Sequence, residues 1–257
     1  MARAWVVFRY GLRYVGSLVL LLGQSLACAV TPPFNAYRFL YQARRVGLGT
    51  FFISSVGAFF IGAIISLQMA YLMVSLSAEI YIPNVVAIAL ARELGPVMTA
   101  IIVAGRIGAG ITAEIGTMTV TEQIDALKAF AVNPVRYLVV PRLLALLLMV
   151  PILTVFAVLA GILGGFVICH FKLSIQHHTY WNMVVTALVL KDVVTGLLKT
   201  FFFAAVIAIV GCWEGMNVRG GADGVGKATT LAVVRSFIFI ILIDCVLTFI
   251  FYFVFNA

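Results

Sequence analysis

The sequence predicts an all-α integral membrane protein with five transmembrane helices, an N-terminal interfacial helix and a short cytoplasmic coupling helix. Three observations carry that reading. Of the 257 residues, 64% are apolar and only 10% are charged, against about 45–50% and about 25% in soluble domains. The apolar residues fall in runs long enough for helices that need about 20 residues to cross about 30 Å of hydrocarbon. The basic residues gather between alternate runs, which is the asymmetry that sets orientation in a membrane. The 17 Lys+Arg exceed the 9 Asp+Glu, but they are scattered and form no basic face. This excludes nucleic acid as a partner and leaves anionic membrane lipids.

The first element is the N-terminal stretch. Tyr14 to Val30 is apolar but short, contains Gln24 and Ser25, and ends at Pro32-Pro33. Arg3, Arg9 and Arg13 precede it, and Arg38, Arg44 and Arg45 follow. Basic residues on both flanks keep both ends on one face, so the stretch reads as an interfacial or re-entrant helix. A cleaved signal peptide is the rival, because Ala27-Cys28-Ala29 imitates a cleavage site. The length of the basic region and the polytopic remainder speak against it.

Five spans come next. Phe51 to Leu76 is uncharged. Asn84 to Arg106 is interrupted by Arg92-Glu93. Leu143 to Cys169 carries Pro151 as a kink point, Val193 to Trp213 carries Lys199, and Ser236 to Ala257 carries Asp244. Residues 1–48 form an elbow segment and residues 49–257 the five-helix domain. Thirteen basic residues on one side against two on the other place the N-terminus in the cytoplasm and the C-terminus outside. Residues 107–142 and 214–235 are then cytoplasmic loops.

Within the first of these loops, Thr119-x-x-Glu122 reads as a capping box. Ile124, Leu127, Phe130 and Ala131 then recur at helical spacing opposite Glu122, Gln123, Asp125 and Lys128, and Asn133-Pro134 ends the segment. The pattern predicts a short amphipathic helix over about residues 121–132. Two roles stay open: lying on headgroups, or docking as a knob into the groove of a soluble partner. Gly105, Gly108, Gly110 and Gly116 before it permit close packing or bending.

Several motifs in this region occur in one order. They are Leu90-Ala-Arg-Glu-Leu-Gly-Pro96, Ala104-Gly-Arg-Ile-Gly-Ala109, Thr112-Ala-Glu-Ile-Gly116, Thr121-Glu-Gln123, Asn133-Pro134 and Pro141-Arg142. Together they resemble the MlaE/YrbE-type permease family, the membrane subunits of bacterial ABC-type lipid transporters that work with MCE-domain proteins. The resemblance implies a homodimer in the bacterial inner membrane, with a periplasmic C-terminus and a glycerophospholipid held between protomers. It also implies a separate ATPase that holds the ATP and magnesium, a periplasmic MCE-domain partner, and room for a small regulatory STAS-type subunit. No cofactor is implied on this chain. The ATPase-coupling residues it implies are Glu122, Gln123, Asp125, Leu127 and Lys128.

Arg92, Glu93, Lys199 and Asp244 lie deep inside apolar runs, where an unpaired charge costs roughly 2.5–3.5 kcal/mol on insertion scales. Two readings stay open: helix-to-helix glue, or a polar pocket in which Arg92 and Lys199 bind a phosphodiester while Glu93 and Asp244 neutralise them when it is empty. The resemblance favours the pocket. Gln68, Leu72, Met73 and Leu76 share one helical face, which is either a packing stripe or a cavity wall. The resemblance implies the wall and adds Leu94.

Other chemistry finds little support. Gly221-Ala-Asp-Gly-Val-Gly-Lys227 matches the first seven positions of a P-loop, but Ala228 stands where a hydroxyl should reach magnesium and no strand precedes it. His170, His177 and His178 have no carboxylate or cysteine set beside them, so no metal is expected. The four cysteines are dispersed, and no Ser-His-Asp arrangement exists, so the chain is expected to be a transport subunit and not an enzyme. The function alternatives are an ion- or proton-coupled secondary carrier using Glu93 and Asp244, and a membrane anchor for an MCE protein.

Overall fold

A computed structural model describes residues 2–30 and 36–253. Pro32-Pro33 and the last four residues of the fifth apolar run lie outside the described residues. Every regular element among the described residues is helical. They are α1 (Ala2–Val30), α2 (Ala36–Val74), α3 (Ile82–Ala89), α4 (Gly95–Val103), α5 (Ala109–Val120), α6 (Gln123–Ala129), α7 (Val140–Leu173), α8 (His177–Ala187), α9 (Leu190–Met216) and α10 (Gly221–Phe253). Six described stretches are long and apolar enough to cross a membrane. The first, Gly11–Ala29, is the least hydropathic of the six, and it is the stretch the sequence assigns to the interface.

The helices run past the ends of the apolar runs. The 39 residues of α2 make a rod of about 58 Å at 1.5 Å per residue, far longer than the hydrocarbon layer. Glu79–Val120 is a single helical run of 42 residues. Residues 107–142 are therefore not a loop. Helix continues to Val120 and resumes at Val135, with only α6 between. Residues 221–235 are likewise the first turns of α10, so the P-loop-like stretch is helical. Its glycines do not form the phosphate-cradling loop that the motif requires.

Among the described residues three turns are π-helical: Leu90–Leu94, Ala104–Gly108 and Val135–Val139. Two of them end two residues before a proline, Pro96 and Pro141. Proline lacks an N–H and its ring crowds the carbonyl four residues back. The preceding helix relaxes into a wider turn, in which Gly95 N–H bonds Leu90 O and Val140 N–H bonds Val135 O. Pro151, by contrast, sits inside the unbroken α7.

The described chain forms two compact units. One gathers Arg44–Val103, Leu147–Ala204 and Phe239–Ala257. Here the backbones of α2 and α7 touch: a Cβ on Gly62 would strike the carbonyl of Gly161, and one on Gly164 the carbonyl of Phe59. Without water to drive helices together in lipid, such close approach supplies the packing. Gly164→Leu is expected to cost at least the about 1–3 kcal/mol of ordinary overpacking, because backbone cannot yield as a side chain can. The yield of monodisperse protein in detergent should fall severalfold, while Gly226→Leu, facing open space, should leave it unchanged.

In the same unit α8 covers α3. Tyr180 is buried, donates to Ile162 O at 2.7 Å, and packs with Phe166 and Trp181 in an aromatic cluster. Burial, with the Cys169 thiol adding to it, pushes the Tyr180 phenol above its ordinary pKa, so the group stays a donor. Of the histidines expected on an outer loop, His170 stacks on Phe166 and His177, at the start of α8, meets the same ring edge-on, while His178 is exposed and contacts Asn182.

The other unit gathers Met1–Ala43, Ala104–Leu146 and Ala205–Ile238. Threonines on α5 stitch it to α9. The Thr112 hydroxyl is shared between Gly108 O and Gly211 O, each at 3.0 Å, and the Thr119 hydroxyl between Ile115 O and Gly215 O, each at 2.9 Å. Tyr14 donates to Glu214 at 2.5 Å, and the same carboxylate pairs with Arg235, whose guanidinium lies over the Tyr14 ring. An aromatic hydroxyl and a cation thus satisfy one buried carboxylate and fasten α1 within this unit.

Candidate functional site: an ionic cluster at a π-turn

The π-turn Leu90–Leu94 carries adjacent charges, Arg92 and Glu93, on a stretch where the helix is widened. Lys199, in the middle of α9, is only 2% exposed. Its ammonium lies 2.5 Å from Glu93 Oε2 and 2.9 Å from Asp244 Oδ1, and it donates to Thr248 Oγ1 at 2.7 Å. Thr248 in turn donates to Glu93 Oε1 at 3.1 Å. Of these three oxygens, those of Glu93 and Thr248 accept hydrogen bonds from the ammonium, and Asp244 adds an ion pair.

Arg92 does not join that group. It pairs with Asp192, a buried residue in the first turn of α9. Asp192 also accepts the Val189 N–H at 3.3 Å. Neither Asp192 nor Thr248 was singled out from the sequence. Asp192 precedes the apolar run of α9, and Thr248 is one hydroxyl among several in spans. A usable signal existed: with nine acids in the chain, any acid next to an apolar run was a candidate partner for Arg92.

With the adjoining Arg92–Asp192 pair, the cluster comprises two cations and three carboxylates. It borders a cavity of ≈ 50 Å³ lined by Arg92, Glu93, Thr195, Lys199, Thr248, Phe251 and Tyr252, about the room of one or two waters at ~30 Å³ each. Arg92 and Glu93 are more than a third exposed at their side chains, whereas Lys199 is sealed. The arrangement can therefore exchange partners at its outer members while the lysine stays fixed. As it stands it has no room for a phosphodiester.

The other sequence-selected residues lie apart from the cluster. Gln68 and Leu72 are exposed on α2, Leu76 is exposed in the turn that follows it, and Met73 and Leu94 pack against the apolar core around Leu90 and Tyr180. The amphipathic segment folds as the short α6. The capping box does not form: Thr119 belongs to the last turn of α5 and bonds backward, while Glu122, with φ of 59°, is the N-cap and makes no side-chain cap bond. Ala131, with φ of 57°, closes the far side. Two left-handed residues thus bracket α6, each at a cost of roughly 1–2 kcal/mol. Within it Ile124 is buried, Leu127 half-buried, and Glu122, Gln123, Asp125 and Lys128 exposed. Asp125 and Lys128 pair at 2.8 Å.

Among the described residues no group of histidine, cysteine and acidic side chains could hold a metal ion, and the four cysteines are free thiols. Long apolar helices with a sealed ionic cluster among them define a multi-pass membrane protein, in which polar side chains inside the hydrocarbon mark functional sites. Residues 39–250 match the family described as Permease MlaE. The chain is 38% identical over 234 residues to a probable ABC transporter permease protein of Rickettsia typhi, covering 91% of this chain and 90% of that one. It is 41% identical over 216 residues to a probable ABC transporter permease protein of Synechocystis, covering 84% and 82%. A probable ABC transporter permease protein of the alga Pyropia yezoensis is 37% identical over 223 residues, covering 87% and 84%. The chain belongs to the MlaE permease family.

Proposed function

We propose that this chain is the permease subunit of an ATP-driven phospholipid transporter of the bacterial inner membrane, serving outer-membrane lipid homeostasis. It acts as a homodimer with five crossings per protomer, α1 on the membrane interface, the N-terminus in the cytoplasm and the C-terminus in the periplasm. A separate ABC ATPase holds ATP and magnesium, and a periplasmic MCE-domain protein delivers or receives the lipid. A STAS-type subunit has room in the assembly.

The observation that carries this reading is the sealed Lys199 held by Glu93 and Asp244. A lipid phosphodiester entering beside the cluster competes with Glu93 for Lys199 and with Asp192 for Arg92. When the lipid leaves, the carboxylates return and neutralise both cations. Gln68, Leu72, Met73, Leu76 and Leu94 line the acyl-chain side of the path. Work is required because each methylene leaving the bilayer for water costs about 0.8 kcal/mol. That work arrives through Glu122, Gln123, Asp125, Leu127 and Lys128, on a helix held rigidly between two left-handed turns. Support comes from the family, from relatives named as probable ABC transporter permeases, and from the exposed charged face of α6.

Affinity purification from native membranes, followed by protein and lipid mass spectrometry, tests the assembly. The expected result is an ATPase, an MCE-domain protein and glycerophospholipid recovered with the chain. Recovery of the intact chain without an ATPase would overturn the reading.

A further inference from the structure

Away from the ionic cluster, the unit containing α5 and the start of α7 holds a cavity of ≈ 290 Å³. Two arginines line it. Arg142 is 4% exposed, donates from Nη1 to Leu138 O at 2.7 Å, and pairs through Nη2 with Glu114 at 2.8 Å. Its Nε is buried and has no hydrogen-bond partner among the described residues. Arg38 also lines the cavity, with its guanidinium carbon 3.2 Å above the centre of the Tyr137 ring. Two cations face one carboxylate, and the hydroxyls of Tyr37 and Tyr41 add neutral donors at the rim, where both residues are exposed. Such a lining attracts an anion rich in acceptor oxygens.

The depth of the cavity points to the source of that anion. Residues 37–42 precede Arg44 and Arg45, the last charges before the uncharged stretch 46–78. At 1.5 Å per residue they lie about 6–14 Å along the helix axis before that stretch, the level of headgroups and of interfacial aromatic residues. Leu138 and Pro141 supply an apolar wall suited to a glycerol backbone and the first methylenes. Basic pockets between membrane helices bind anionic headgroups in this way. We propose that this cavity is a binding site for the phosphate of an anionic phospholipid, which Arg38 and the rim tyrosines hold, with the positive charge of Arg142 behind them. It shares no residue with the cluster around Lys199, so it is a resident-lipid site additional to the transport path.

The test uses the full chain in phosphatidylcholine nanodiscs doped with a photoactivatable phosphatidylglycerol, with crosslinked peptides mapped by mass spectrometry. Labelling should concentrate on residues 36–43 and 137–142, and fall at least fivefold in Arg38→Gln. Arg142→Gln should do the same if it folds. Arg219→Gln, which removes an exposed cation elsewhere, should leave labelling intact. Labelling spread evenly over the lipid-facing helices, or unchanged in Arg38→Gln, would overturn the proposal. Inorganic phosphate competing as strongly as phosphatidylglycerol would overturn the lipid assignment and identify a soluble anion.

Discussion

Replacing Lys199 by methionine is expected to abolish accumulation of the folded protein. The substitution leaves Glu93 and Asp244 facing each other across a site that lipid surrounds, and breaking a buried pair from one side costs about 3–5 kcal/mol. Two carboxylates lose their cation together here, so the effect belongs at the upper end. A triple variant, Lys199→Met with Glu93→Gln and Asp244→Asn, removes all three charges. It should restore folded protein, because an uncharged cluster carries no stranded ion. If the cluster binds a phosphodiester, the triple variant still fails to move lipid; if the cluster is only glue between helices, it transports normally. Glu93→Gln alone should keep expression near normal and reduce lipid movement at least tenfold. Immunoblots of membrane fractions and a lipid-transfer assay on the same preparations separate the two readings.

The second large effect belongs to α6. Phe130 is 81% exposed just past the end of this helix, an unusual place for a phenylalanine if nothing covers it. Its removal should cost the fold little, since surface substitutions usually stay within about 0.5 kcal/mol. As an anchor in a partner's groove it would be a hot spot of about 2 kcal/mol or more, which corresponds to a roughly thirtyfold loss of affinity at 1.4 kcal/mol per tenfold. Phe130→Ala is therefore expected to express normally, lose its co-purifying ATPase, and lose ATP-dependent transport. Asp125→Lys should act in the same direction without unfolding the chain, because the exposed Asp125–Lys128 pair contributes little. Normal ATPase recovery with both variants would leave α6 as a helix resting on headgroups.

Composition alone exposed the apolar spans, because 64% apolar residues admit no soluble fold and a helix is the open-ended way to bury backbone polarity in lipid. Helix lengths were not legible. Charged and polar residues between runs read as loops, yet the backbone continues helical through 109–120 and 221–235, since intrahelical bonding does not need an apolar surface. Thr119-x-x-Glu122 misled for a related reason: the capping pattern assumes a free helix start, and Thr119 was still inside α5, with Gly215 O within reach. The charged residues of the spans were visible as costly and therefore paired, but their partners were not assignable by sequence distance. Lys199 and Glu93 lie 106 positions apart and Arg92 and Asp192 exactly one hundred. The π-turns left a trace that can be read in retrospect, a proline two residues after each of two widened turns.

The central claim is that lipid movement through this chain is powered by ATP hydrolysis on another polypeptide. It is tested most directly in proteoliposomes containing the chain and the ATPase purified with it, loaded with a fluorescent phospholipid and supplied with ATP or a proton gradient. Lipid movement with ATP, lost in Phe130→Ala and absent under the gradient alone, is the predicted result. Equal movement by the chain without the ATPase, driven by the gradient, would contradict the account and make Glu93 and Asp244 the titrating groups of a secondary carrier.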